Sequence, residues 1–269
     1  MPTGESSPRR GVWLLGGATA LVLLAVLAYL EVGARGWAAA MVERSPSLLY
    51  EDARRLERAG QYAAAYARVS AALALAPQRH DCHFLASTCA QRLGDLSASD
   101  IHADQAIRHC PPHHPELWRY YYHRGFLENS LGRREQAIRD WAISAYHNPE
   151  QPAAFAQLGR AYAARQDFAE ARRFMAEALR LAPDNAEYAF LLGTYYMSES
   201  DWELALPHLL RAVELDPALT LAYRHLGYCA MQTARLGDAQ FYFEKYREER
   251  ADDPLARNWL RRVRQRLKP

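Results

Sequence analysis

Seven of the ten histidines in this chain, His80, His83, His102, His109, His113, His114 and His123, fall within 44 residues. Imidazole and thiolate suit zinc or copper, so His113 and His114 with His109 or Cys110 form a group whose spacing could hold a metal. They lie in the stretch Pro111-Pro112-His113-His114-Pro115, where proline fixes the backbone and predicts a rigid loop that serves as a contact surface. No metal is therefore assigned. There is no C-x-x-C-H, which excludes covalent haem attachment by motif. P-loop, G-x-G-x-x-G, G-x-S-x-G and H-E-x-x-H patterns are missing too, and no two acids stand at a spacing that marks a catalytic pair. The expectation is a non-catalytic chain without cofactor.

The elements that carry these residues emerge from the uneven spread of apolar positions. The chain has 269 residues, 50% hydrophobic and 24% charged, with 33 Lys+Arg against 31 Asp+Glu. That balance excludes a disordered acidic tail and a nucleic-acid binder relying on bulk positive charge. Residues 11–30 contain no charged side chain, and at about 1.5 Å per residue they reach roughly 30 Å, the thickness of a bilayer core. Trp13 and Tyr29 stand near its ends, Arg9 and Arg10 precede it and Glu31 follows it. This predicts a transmembrane helix with residues 1–10 in the cytoplasm, 31–45 as a linker and the rest of the chain outside it. A cleaved signal peptide ending near Ala38-x-Ala40 is the alternative, although the apolar run is longer than the roughly 7 to 15 residues of such a segment.

A second pattern repeats. Pro77, Pro111, Pro149, Pro183 and Pro217 are separated by 34, 38, 34 and 34 residues, and a period of that size marks a stack of similar units. Residues 152–185 carry Phe155, Leu158, Gly159, Tyr162, Ala171, Met175, Ala178 and Pro183. Residues 186–219 carry Leu192, Gly193, Tyr196, Ala205, Leu209, Ala212 and Pro217. These reproduce the pattern W-x2-L-G-x2-Y, A-x3-F, P, and the chain resembles the tetratricopeptide repeat (TPR) family. Weaker copies span 46–79, 80–113, 118–151 and 220–253. The expected fold is all-α: a right-handed TPR solenoid over 46–253, six helix-turn-helix units, with a capping helix over 254–269.

The resemblance implies a concave groove lined by the first helix of each unit. On this register the groove holds Tyr50, Arg54, Arg58, Phe84, Arg92, Arg119, Tyr122, Phe126, Asn129, Arg160, Phe190, Met197, Arg224, Tyr228 and Met231. Such a surface suits a peptide with apolar anchors and acidic groups, because aromatic faces take apolar side chains and Arg forks onto carboxylates. The Asn that some TPR co-chaperones use to grip a terminal carboxylate has no counterpart here, which argues against that role. In the same register Cys82 begins one helix and Cys110 ends its antiparallel partner, so a Cys82–Cys110 disulfide is one expectation, and packing of the thiols in the core is the other.

The capping segment has Arg257, Arg261, Arg262, Arg264, Arg266 and Lys268 and no acid, while Leu255, Trp259, Leu260, Val263 and Leu267 share one side. The functional expectation is a membrane-anchored scaffold on the extracytoplasmic side of an inner membrane. It binds protein or peptide partners rather than nucleic acid, within a multi-subunit membrane complex. A permanent structural subunit and an organelle import receptor with cytosolic repeats are the alternatives.

Overall fold

The computed structural model describes residues 45–267, which form thirteen helices and no strand. In chain order they are α1 (Pro46–Arg58), α2 (Tyr62–Leu75), α3 (His80–Arg92), α4 (Leu96–His109), α5 (Leu117–Ser130), α6 (Arg134–His147) and α7 (Pro152–Ala164). They continue as α8 (Phe168–Leu181), α9 (Ala186–Ser198), α10 (Trp202–Leu215), α11 (Thr220–Gln232), α12 (Leu236–Glu249) and α13 (Pro254–Arg266). The membrane span expected over 11–30 lies outside the described residues. Among the described residues no helix is long and apolar enough to cross a membrane.

The described chain divides after His109 into two compact units. In the first, α1 packs on α2, α2 on α3 and α3 on α4. In the second, the pairs α5–α6, α7–α8, α9–α10 and α11–α12 follow one another and α13 covers the end. Helix starts are set locally. Ser45, Asp167, Asn185 and Asp253 accept backbone N–H bonds at the first turns of α1, α8, α9 and α13, and Pro46, Pro152 and Pro254 occupy first positions where the missing N–H costs nothing.

The close approach within each pair follows from residue size. A Cβ added at Gly227 would lie 2.7 Å from the Phe243 ring, and one at Gly193 would lie 2.7 Å from Leu209 Cγ. Ala65, Ser99, Ala137, Ala171, Ala205 and Ala239, the same position in the six pairs, are all small and buried. A bulky residue from the second helix thus fills the space that glycine leaves on the first, at near-crystalline density.

Cys82, Cys89, Cys110 and Cys229 are buried thiols, and no disulfide joins them. The Cys82–Cys110 pairing is corrected accordingly: each side chain fills an apolar position in the helix packing. Burial pushes Cys82 and Cys229 up to about 12 and Cys89 and Cys110 up to about 11, so all four stay protonated.

Candidate functional site

In the second unit, side chains from the first helix of each pair touch in sequence. Tyr122 on α5 stacks edge-on against Phe126 at 5.0 Å, and its hydroxyl bonds Gln157 on α7. From α7, Arg160 reaches Glu187 on α9 at 2.6 Å and stands beside Tyr188 and Tyr195. Phe190 of α9 stacks on His225 of α11 at 5.2 Å, with Thr194 Oγ1 3.4 Å from His225 Nδ1. Tyr228 of α11 meets Trp202 edge-on at 5.4 Å, and with Met231 it opens a recess of about 390 Å³ that Gln232, Arg262, Gln265 and Arg266 complete. The result is a ribbon of half-buried aromatic rings ending against α13.

Electrostatics redistribute the expected roles. Burial raises the phenols of Tyr122 and Tyr188 and pushes Tyr195 up to about 12, so this ribbon is uncharged at neutral pH. Arg160 is committed to Glu187 and Arg119 to Glu116 in its own helix turn. Arg224 lies 3.2 Å from His225. Arg257, Arg262 and Arg266 on α13, by contrast, form no ion pair among the described residues and are exposed. A second recess on α13 is lined by Arg247, Arg257, Leu260, Arg261, Arg264 and Gln265, where Arg264 bonds Glu244 at 3.1 Å. The exposed cations without a carboxylate partner near the end of the ribbon therefore stand on α13, while Arg224 is half-buried beside His225.

Of the other second-unit positions, Phe126 rests on Trp141, Phe190 and Met197 pack into the cluster around Leu209, and Met231 is buried against Phe243 and Leu260. They support the surface rather than project from it. Asn129 is exposed near the end of α5. In the first unit Tyr50 lies under the guanidinium groups of Arg54 and Arg79, at 5.7 and 5.1 Å, and Arg54 is 3.8 Å from Glu51. Phe84 is half-buried, and Arg92 is exposed over the Tyr62 ring at 6.0 Å.

Sequence reasoning missed Trp202, Gln157, His225, Arg262 and Arg266 as neighbours of the ribbon. Trp202 belongs to a second helix, and the two arginines belong to the cap, outside the register used to enumerate groove positions. The charge excess of the cap pointed to them. No group of three or more His, Cys, Asp or Glu converges on a point among the described residues, and His113 is exposed in the proline-rich loop.

Residues 152–185 match the family described as tetratricopeptide repeat. Among solved structures, the C-terminal part of a TPR repeat-containing protein from Cytophaga hutchinsonii superposes with a TM-score of 0.67 at 17% identity, over 74% of this chain and 78% of that one. PilF from Pseudomonas aeruginosa gives 0.64 at 14% identity, over 82% and 97%. YrrB, described as a TPR protein with an unusual peptide-binding site, gives 0.60 at 18% identity, over 70% and 95%. No curated protein matches the sequence. The TPR repeat and the TPR-like all-α fold are thus common ground between the residue pattern and the solved relatives.

Proposed function

We propose that this chain is a non-catalytic, membrane-anchored TPR scaffold. The second unit binds an extended protein segment that carries apolar side chains along the ribbon and acidic groups against α13. One observation carries the reading: the ribbon from Tyr122 to Tyr228 leads into a recess whose far wall is Arg262 and Arg266, two guanidinium groups with no carboxylate of their own. Aromatic faces supply desolvated contact and Arg supplies bidentate grip on carboxylate, the combination that dominates peptide recognition energetics. The peptide-binding description of YrrB supports the class of ligand. The uncharged stretch 11–30 with Arg9 and Arg10 before it supports a single span that holds the repeats on the extracytoplasmic face of an inner membrane.

The test is a positional peptide library screened against the detergent-solubilised full chain. Peptides that alternate apolar and acidic residues should be selected. Tyr122→Ala with Tyr228→Ala should weaken them at least about tenfold, the loss of about 1.4 kcal/mol from two anchors. Arg262→Glu with Arg266→Glu should shift the preference from acidic to basic peptides. Unchanged selection by both double variants sinks the assignment. Protease protection of the repeats in intact spheroplasts tests the orientation.

A further inference from the structure

In the first unit, His83 of α3 and His102 of α4 face each other with their Nδ1 atoms 3.1 Å apart. Their hydrogens are fixed by the chemistry of the neighbours. His83 Nε2 lies 2.8 Å from the Pro77 carbonyl, which can only accept, so Nε2 carries the hydrogen and Nδ1 of the neutral ring presents a lone pair. His102 Nδ1 then donates to that lone pair, and His102 Nε2 accepts from the Tyr66 hydroxyl at 3.2 Å. His109 stacks on the outer face of His83 with ring centroids 5.9 Å apart.

The separation of the two Nδ1 atoms is also close to that of a chelate. Two imidazole nitrogens on one tetrahedral zinc stand about 3.3 Å apart, from bonds of about 2.0–2.1 Å. A ligating histidine ordinarily donates its other ring N–H to an oxygen, and here Pro77 O and Tyr66 Oη are in place to receive those two hydrogens. Moving the His102 proton from Nδ1 to Nε2, where Tyr66 Oη takes the bond, leaves a lone pair on both Nδ1 atoms with no net loss of a proton.

We propose that His83 and His102 form a two-histidine site for a divalent transition-metal ion, zinc or copper. The ion bridges α3 and α4 and is completed by water, since no third His, Cys, Asp or Glu converges there. His102 is half-buried and His83 is buried. The ion acts as a clip: ligands on two antiparallel helices favour the folded pair, so the unfolding midpoint rises with metal concentration.

The experiment is calorimetric titration of the full chain, without a polyhistidine tag, by zinc, together with copper(II) electron paramagnetic resonance. One ion should bind per chain, with nitrogen hyperfine structure from two imidazoles. His102→Gln, half-buried and close in size, should abolish both signals while its circular dichroism stays wild-type. Tyr66→Phe, which removes the oxygen that orients His102, should weaken binding about 10- to 100-fold. His113→Ala with His114→Ala should bind as wild type. The site is overturned if the wild-type chain binds neither ion. It is equally overturned if binding survives His102→Gln, or if it is lost instead in the His113/His114 variant.

Discussion

The first three helix pairs and the last three share one backbone plan but close their crossings with different chemistry. Where α1 meets α2, Asp52 takes Arg68 at 3.1 Å. Where α3 meets α4, His83 takes His102, and Ser87 and Ser99 exchange hydroxyl-to-carbonyl bonds of 2.8 and 2.9 Å. Where α5 meets α6, the Arg124 guanidinium forks onto Asp140 at 2.7 and 2.8 Å. In α7, α9 and α11 the position of Asp52 and Arg124 is held by Leu158, Leu192 and Leu226, which are fully buried, and the glycine that follows each receives Met175, Leu209 or Phe243. The pair α5–α6 has both, since Trp141 lies over Gly125. Directional polar bonds fix one geometry and are costly to leave half-made. Apolar packing is additive and is limited by volume.

The contrast is broken most directly at its apolar extreme. Phe243 is among the largest fully buried side chains and touches Trp259 of α13 at a ring spacing of 5.2 Å. Phe243→Ala should cost about 4 kcal/mol in urea unfolding, the transfer loss plus the cavity. Ser87→Ala, in the polar pair α3–α4, should cost about 1 kcal/mol, one exchanged hydrogen bond. Equal losses would show that the two chemistries are equivalent in this fold.

Next in size is the ion pair between α5 and α6. The Asp140 side chain is 5% exposed and that of Arg124 22%, whereas Arg68 in the matching pair is 46% exposed. Arg124→Met leaves a buried carboxylate without its cation and should cost about 3 kcal/mol. Arg68→Met, which removes a half-exposed side chain and leaves Asp52 still paired with Arg55, should cost less than about 1 kcal/mol. Chemical denaturation of both variants compares them, and a comparable loss at the two positions would remove burial as the deciding factor.

The same contrast explains what the sequence could and could not disclose. Leu158-Gly159, Leu192-Gly193 and Leu226-Gly227 are adjacent residues, so a local pattern finds them, and the family match falls on 152–185. At the matching position Asp52, Ala86 and Arg124 break that pattern. Their compensation, Arg68 and Asp140, lies 16 residues further on across a turn and is invisible until the antiparallel pair is built. The ribbon was legible at Tyr122 and Tyr228 because exposure follows helical period. The pairing of Arg160 was not legible, because its partner Glu187 comes from the next pair. Cys82 and Cys110 were ambiguous for a simpler reason: a buried thiol and a bridging one occupy similar positions in a sequence.

Acid sharpens the comparison further. Burial lowers His123 on α5 and His225 on α11 to about 4. Both are neutral in the fold, while the unfolded chain gains protons near pH 6.5. Their stabilisation is complete above pH 6.5 and is lost as pH falls from about 6.5 to about 4, at up to about 1.4 kcal/mol per pH unit for each. His225→Phe keeps the stack on Phe190 and should remove one such increment from the slope of stability against pH, measured by unfolding at a series of pH values. A slope identical to wild type would mean that His225 already takes its proton in the folded chain.

The smallest expected effect lies in the turns, which divide along the same line. Gly60, Gly94 and Gly132 turn the first three pairs with φ between 75° and 83°, whereas Gln166, Ser200 and Ala234 turn the last three at φ of 64°, 66° and 60°. A side chain in this left-handed region crowds the following carbonyl and costs about 1–2 kcal/mol, offset in part because glycine has more freedom to lose on folding. Ala234→Gly should therefore raise stability by about 1 kcal/mol, and Gly94→Ala should lower it by a similar amount, although a Cβ at Gly94 meets no atom within 4 Å. Opposite signs at two turns of the same shape, read from thermal midpoints, would assign the effect to the backbone alone. If Gly94→Ala were neutral, the turns would be adapting to their residues rather than imposing φ on them.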